Sequence, residues 1–272
     1  MNSLPSVAIL SLVASFASLA PAMAQDCSPH ATEIASQPLP SQTPRQMMMG
    51  LTKSQSVPDS ADVVLVGDSL VEGWGDAKAD FGGKSVWNFG VNGDRTQQVI
   101  WRLSKANLSK LRPESVVLLI GSNNLVDGGT TACSASAGID KVVEMIRSSW
   151  PSANVFVLTI PPRGKDFRGN DEERLALNQH IKALSDNDKK VYPIVLGDDE
   201  LTCGLYSNQN LLPSLEERCL APDSSICANF KADGIHFTPA GYSLIRKTMK
   251  EFSETRFGQD VFGNILPKAD AK

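Results

Sequence analysis

The sequence predicts an α/β fold, a three-layer α/β/α sandwich built on a five-stranded parallel sheet. Three observations lead there. Short runs of branched aliphatic residues recur along the chain, amphipathic stretches separate them, and the runs themselves do not alternate polar with apolar. Strands covered on both faces need no such alternation, and strand–helix repetition closes a parallel sheet between two helical layers. Five strands between residues 62 and 252 suit a flavodoxin-like order better than a barrel, which needs eight.

Taken in order, Val63–Val66 is strand one, followed by a short helix over 70–80. Ser85–Phe89 is strand two, and Thr96–Leu108 a helix with Val99, Ile100, Leu103 and Leu108 on its apolar face. Ser115–Ile120 is strand three, followed by a helix over Gly138–Ser149 carrying Ile139, Val142, Val143 and Ile146. Asn154–Ile160 is strand four, and Asp171–Ser185 a helix facing inward through Leu175, Leu177, Ile181 and Leu184. Val191–Leu196 is strand five, and Pro239–Phe252 the closing helix, with proline at its first turn. The segment 198–230 breaks the rhythm and holds three of the five cysteines. It is longer than loops usually run without structure, and is either a disulfide-held excursion beside the ligand edge or a surface insertion.

Residues 1–24 read as a signal peptide. Val7–Leu19 is apolar but too short to span a bilayer, and Pro21-Ala22-Met23-Ala24 supplies a small-x-small cleavage pattern, although no Lys or Arg precedes the core. The residues before Cys27 lack the small side chains of a lipidation site, so a secreted or periplasmic protein without stable membrane insertion is expected. Residues 25–60 form a polar N-terminal arm, extended or with a short helix over 44–54, whose Met47-Met48-Met49 should pack against the body. Residues 61–272 are long enough to bury one core and are expected to form one domain. Net charge is −4 with both signs scattered, which offers neither a basic stripe for nucleic acid nor a polybasic patch for lipid. Five cysteines in an exported chain point to disulfides and leave at least one thiol without an intramolecular partner. No Cys-x-x-Cys or spaced His pair suggests zinc, and no metal or cofactor is expected.

The chemistry gathers at strand ends. Asp62 to Val66 runs into Gly67-Asp68-Ser69, placing Ser69 just past the carboxyl end of strand one, where open α/β sheets bind ligands. On its own this is also an ordinary strand, turn and helix N-cap. A serine nucleophile needs a base, a group to orient that base, and donors for the oxyanion. Of three histidines, His30 lies in the arm, His180 in mid-helix, and His236 at the carboxyl edge just before the closing helix. Asp233, three residues earlier, can fix the imidazole tautomer. Gly93, after strand two, can offer an unobstructed backbone N–H, and Asn123, after strand three, a side-chain amide. Val71 disfavours a Gly-x-Ser-x-Gly elbow, and Asn88, which stands where the first glycine should be, disfavours a dinucleotide fingerprint.

Four blocks, Gly67-Asp68-Ser69-Leu70, Gly90-Val91-Asn92-Gly93-Asp94, Gly121-Ser122-Asn123-Asn124 and Asp233-Gly234-Ile235-His236, together resemble those of the GDSL/SGNH hydrolase family. The likeness covers residues 60 to 252. Asn88–Leu103 and Ile160–Lys165 resemble the branch containing platelet-activating-factor acetylhydrolase catalytic subunits and their bacterial relatives. The resemblance implies the SGNH hydrolase fold, Ser69 as nucleophile, His236 as base and Asp233 as its partner. It also implies an oxyanion hole from the N–H groups of Ser69 and Gly93 and the amide of Asn123. The family's third block usually reads Gly-x-Asn-Asp, and Asn124 replaces that Asp here as in the acetylhydrolase branch. The expected activity is that of an exported serine esterase acting on short-chain, acetyl-type esters of a small molecule or saccharide. The alternatives are an O-acyltransferase or a lysophospholipase- or thioesterase-type lipid hydrolase using the same site, and a catalytically silent carbohydrate-binding protein.

Overall fold

The computed structural model describes residues 27–75, 77–126, 130–184, 190–212 and 225–263. The expected signal segment and Cys219 lie outside these residues. Strands β1 (Val63–Gly67), β2 (Val86–Gly90), β3 (Ser115–Leu119), β4 (Asn154–Leu158) and β5 (Val191–Ile194) form one sheet in the order β2-β1-β3-β4-β5. All pairings are parallel, with Gly67 in register with Gly90 on one side and Leu119 on the other. This is the three-layer α/β arrangement expected from the sequence. The order reverses between β1 and β3, which makes their carboxyl ends the switch point where such sheets bind ligands.

Helices α5 (Thr96–Lys105), α6 (Ala132–Ser149) and α7 (Asp171–Ala183) lie side by side in one layer. The short α3 (Ser69–Glu72) and α4 (Ala77–Asp80) belong to the other layer with the closing helix, numbered α9 after the four-residue α8 (Asp198–Leu201) and spanning Pro239–Phe257. There Trp74 stacks near Tyr242 at 5.2 Å, and Tyr242 donates its hydroxyl to the Leu70 carbonyl at 2.9 Å. Val63, Val64, Leu65 and Val66 are wholly buried, and each such side chain contributes about 1.5–3 kcal/mol.

Several boundaries differ from the sequence expectation for identifiable reasons. The helix expected over 70–80 is two helices, interrupted around Gly73-Trp74-Gly75. The α6 helix starts six residues early, at Ala132. Its first turns are small residues without an apolar period, and Thr131 caps it by accepting from the Ser134 N–H at 3.4 Å. The α9 helix runs on to Phe257 and stops at Gly258, whose φ of +74° is the left-handed value a C-terminal cap requires. Leu175 does not face inward as expected but is 42% exposed, because Arg174, Leu177, Asn178 and Ile181 form the buried face of α7.

The arm is more ordered than an extended lead-in. Helices α1 (Pro29–Ser36) and α2 (Pro44–Gln55) pack against the α5–α6 layer, α1 on α5 and α6 and α2 on α5. A disulfide from Cys27 to Cys133 ties the start of α1 to the first turn of α6. Met47 and Met48 do not pack inward as expected, Met48 being 60% exposed. The buried positions of α2 are Gly50 and Ser54, because the helix closes on the methylene shaft of Arg102 and the Trp101 ring, which leave room there for no larger side chain. The segment from 198 is pinned by a second disulfide, Cys203–Cys227.

Candidate active site

The site begins where β1 ends. A side chain at Gly67 would place its Cβ 2.1 Å from the Leu119 carbonyl oxygen and 2.5 Å from the Val71 side chain, so only glycine lets the strand turn here. Asp68 then caps α3, its Oδ1 accepting the Leu70 N–H at 2.9 Å. This leaves Ser69 half-buried as the first residue of a helical turn at the sheet edge.

His236 arrives from the far end of the chain. Its Nε2 lies 3.0 Å from Ser69 Oγ, and its Nδ1 2.7 Å from Asp233 Oδ2. The other carboxylate oxygen of Asp233 accepts the N–H groups of Ile235 and His236 at 2.8 and 2.9 Å. Burial pushes the Asp233 carboxyl up, but the His236 ring and these two N–H groups outweigh it and hold the carboxyl below its usual range. An ionised acceptor at Nδ1 keeps the proton on that nitrogen and leaves Nε2 to accept from Ser69.

The loop carrying this pair is braced on both sides. Gly234, at φ +64°, passes so close to the 163–165 loop that a Cβ would meet the Gly164 carbonyl oxygen at 2.4 Å. The Gly164 N–H in turn donates to the Gly234 carbonyl at 3.0 Å. On the other side Phe230 and Phe237 form an antiparallel bridge, and the Cys203–Cys227 disulfide anchors the chain just before it. The 198–230 segment thus stands next to the His236 loop in the described part.

The remaining expected residues sit at the same edge. Gly93 occupies a tight turn closed by the Asp94 N–H on the Val91 carbonyl at 3.2 Å, with φ +79°. Among the described residues no protein group accepts the N–H of Ser69 or of Gly93. Asn123 donates its amide to the Asp94 carbonyl at 2.9 Å and to Asp68 Oδ2 at 3.3 Å. An oxyanion would compete with the longer of these two contacts. Asn124, the departure from the usual third block, plays a structural part, since its Oδ1 accepts the Thr96 N–H at 3.0 Å and seats the start of α5. The other two histidines stand apart, His30 exposed on α1 and His180 paired with Asp140 at 2.7 Å on the α6–α7 flank. A cavity of about 600 Å³ beside His180 shares no residue with the Ser69 site.

Five residues that support the edge were not anticipated. Arg102, buried in α5, donates to Asp94 Oδ2 at 2.7 Å, the Phe89 carbonyl at 2.6 Å and the Gly67 carbonyl at 3.2 Å. It therefore ties together the ends of β1 and β2 and the Gly93 turn. Burial pushes the Asp94 carboxyl up to about 6 despite Arg102, and the Asp68 carboxyl up to about 7. Arg163 donates to the Ser122 carbonyl at 3.1 Å, Glu72 accepts the Asn92 N–H at 3.0 Å, and Lys53 and Gln46 reach the Asn88 and Asn92 carbonyls from α2. Arg102 and Arg163 fall within the stretches that resemble the acetylhydrolase branch, but no local pattern assigns a role to any of the five. Each acts on a backbone group distant in the chain.

Comparison with known proteins places the chain in a family. Residues 65–244 match the model of the GDSL-like lipase/acylhydrolase family. The chain is 28% identical over 196 residues to platelet-activating factor acetylhydrolase IB subunit alpha2 of Rattus norvegicus, covering 70% of this chain and 75% of that protein. It is 36% identical over 137 residues to the alpha1 subunit of Homo sapiens, covering 47% and 57%. Among solved structures, a lipolytic protein of the G-D-S-L family from Veillonella parvula superposes with TM-score 0.52 at 15% identity, over 72% of this chain and 97% of the other. A family two carbohydrate esterase from Clostridium thermocellum gives TM-score 0.52 at 13% identity, over 74% and 66%. These two likenesses speak to the fold. With two thirds of its length under the family model and a serine at the end of β1, the chain belongs to the GDSL-like lipase/acylhydrolase family and is a carboxylic ester hydrolase.

Proposed function

We propose that the protein is an exported serine esterase that removes short acyl groups, acetyl above all, through an acyl-enzyme on Ser69. The observation that carries this is the unbroken relay from Ser69 Oγ to His236 Nε2 at 3.0 Å and from His236 Nδ1 to Asp233 Oδ2 at 2.7 Å. Ser69 attacks the ester carbonyl as its proton passes to His236. The oxyanion rests on the N–H groups of Ser69 and Gly93, with Asn123 alongside. The tetrahedral adduct collapses, His236 returns the proton to the departing alcohol, and water attacks the acyl-enzyme by the same route. The relatives' names support acetyl as the acyl group. Export is supported by the two disulfides and by the leader-like composition of residues 1–24.

The test is turnover of a nitrophenyl ester series from acetyl to octanoyl, with fluorophosphonate labelling of the intact protein. Ser69→Ala is expected to abolish both turnover and labelling, and acetyl to be preferred. Turnover that survives Ser69→Ala refutes the nucleophile assignment, and a preference for octanoyl refutes the short-acyl reading.

A further inference from the structure

We propose that Gln46, contributed by the N-terminal arm, is a positioning residue that holds the Asn92–Gly93 peptide with its N–H facing the oxyanion. This deepens the proposed function and rests on its reading of Ser69 and Gly93. The peptide in question is the middle unit of the Val91–Asp94 turn, closed by the Asp94 N–H on the Val91 carbonyl. Gly93, at φ +79°, has the value of the third residue of a type II turn. Type I and type II turns differ by a flip of this central peptide, and the closing hydrogen bond survives in both. A flip would replace the Gly93 N–H by the Asn92 carbonyl oxygen, turning a donor toward the oxyanion into an acceptor. Glycine accepts either sign of φ, so the turn has little internal preference of its own.

The choice is made from outside. In a trans peptide the carbonyl and the following N–H point in opposite directions. Gln46 Nε2 donates to the Asn92 carbonyl at 3.1 Å, and a bond drawing that oxygen toward α2 sends the Gly93 N–H the other way. The Asn92 carbonyl can only accept, so it takes the NH₂ end of the Gln46 amide. Ser41 and Thr43 each donate a hydroxyl to its Oε1 at 2.7 Å, which leaves the NH₂ end facing Asn92. The Gln46 amide also fills the space a side chain at Gly93 would need, its Nε2 lying 2.0 Å from the position of a Cβ there. From the opposite side Glu72 Oε2 accepts the Asn92 N–H at 3.0 Å, so both peptides flanking Asn92 are held by side chains. The arm is itself located by Gly50 against Arg102 and by Lys53 on the Asn88 carbonyl at 2.6 Å.

The experiment compares Gln46→Ala, Gln46→Glu and Ser69→Ala in the full protein on nitrophenyl acetate, with thermal unfolding recorded for each. One neutral hydrogen bond biases the turn by a factor of about three to ten, and without it a turn of little preference falls to about half in the active form, so Gln46→Ala is expected to lower kcat by about 1.5- to 2-fold. KM and the pH at half-maximal kcat should stay unchanged. Gln46→Glu, nearly isosteric but without the donor, is expected to lose at least as much. Wild-type kcat in Gln46→Ala, or recovery of activity in Gln46→Glu, overturns the proposal, the latter because it would show that bulk alone matters. Activity surviving in Ser69→Ala instead undoes the underlying reading of the site, whichever way the Gln46 variants behave.

Discussion

Replacing Arg102 by Met tests how the Ser69 edge is held together. The guanidinium is 1% exposed, pairs with Asp94 (2% exposed) at 2.7 Å, and serves the carbonyls of Phe89 and Gly67. Methionine keeps much of the volume and the contact with the Phe89 ring, over which the guanidinium now sits at 4.2 Å. It leaves a buried carboxylate without its counter-charge. Breaking a buried pair from one side costs about 3–5 kcal/mol, and a chain of this size loses roughly 2–4 °C in Tm per kcal/mol, so a fall of roughly 6–20 °C is expected at pH 8. The penalty depends on protonation. Burial raises the Asp94 carboxyl to about 6 while Arg102 opposes the rise, so its removal carries the value higher. A carboxyl raised in the folded state favours the protonated form, and its cost to stability grows as pH climbs through that value. The deficit of Arg102→Met should therefore be smaller at pH 5 than at pH 8. Adding Asp94→Asn should recover much of it. Urea unfolding followed by circular dichroism at the two pH values measures both effects. A deficit under about 1 kcal/mol at pH 8, or one that is larger at pH 5, would refute the reasoning.

Two further outcomes follow from the loop that carries His236. Asp233→Asn keeps an oxygen for the Ile235 and His236 N–H groups but presents an N–H to Nδ1. The imidazole is then forced into the wrong tautomer, and kcat should fall on the order of a hundredfold or more with the fold intact. A loss of less than tenfold in steady-state kinetics would count against the relay. Replacing Cys203 and Cys227 together by serine removes a cross-link with a sequence separation of 24. By the loop-entropy relation this should lower unfolding free energy by about 3.5 kcal/mol, and denaturant melts showing no change would contradict that.

The readable parts of this protein are those governed by near neighbours in the chain. The sheet was legible because its inner strands β1, β3 and β4 are buried on both faces, Asn154 apart, and carry no polar alternation. Ser69 was legible because a turn demanding glycine ends β1, and Asp233 because its three-residue spacing from His236 lets one carboxylate serve both a ring nitrogen and two backbone N–H groups. Helix ends were read less well wherever small residues hid the period, as at Ala132, or where a cap lay beyond the last apolar position, as at Gly258.

The amino-acid sequence by itself determined the α/β class, the strand ends that carry the candidate residues, and the candidate nucleophile, base and carboxylate partner. Each is a local pattern or a short motif, set by backbone sterics and by which side chains leave water. Only the tertiary structure decided how the Ser69 edge is supported. It placed Arg102 across two strand ends, and brought Gln46 and Lys53 from the arm onto carbonyls 46 and 35 residues away. It also turned Met48 outward while the small and polar face of α2 went in. Such contacts join polar side chains to backbone groups that any residue possesses, and the chain must fold before the two can meet.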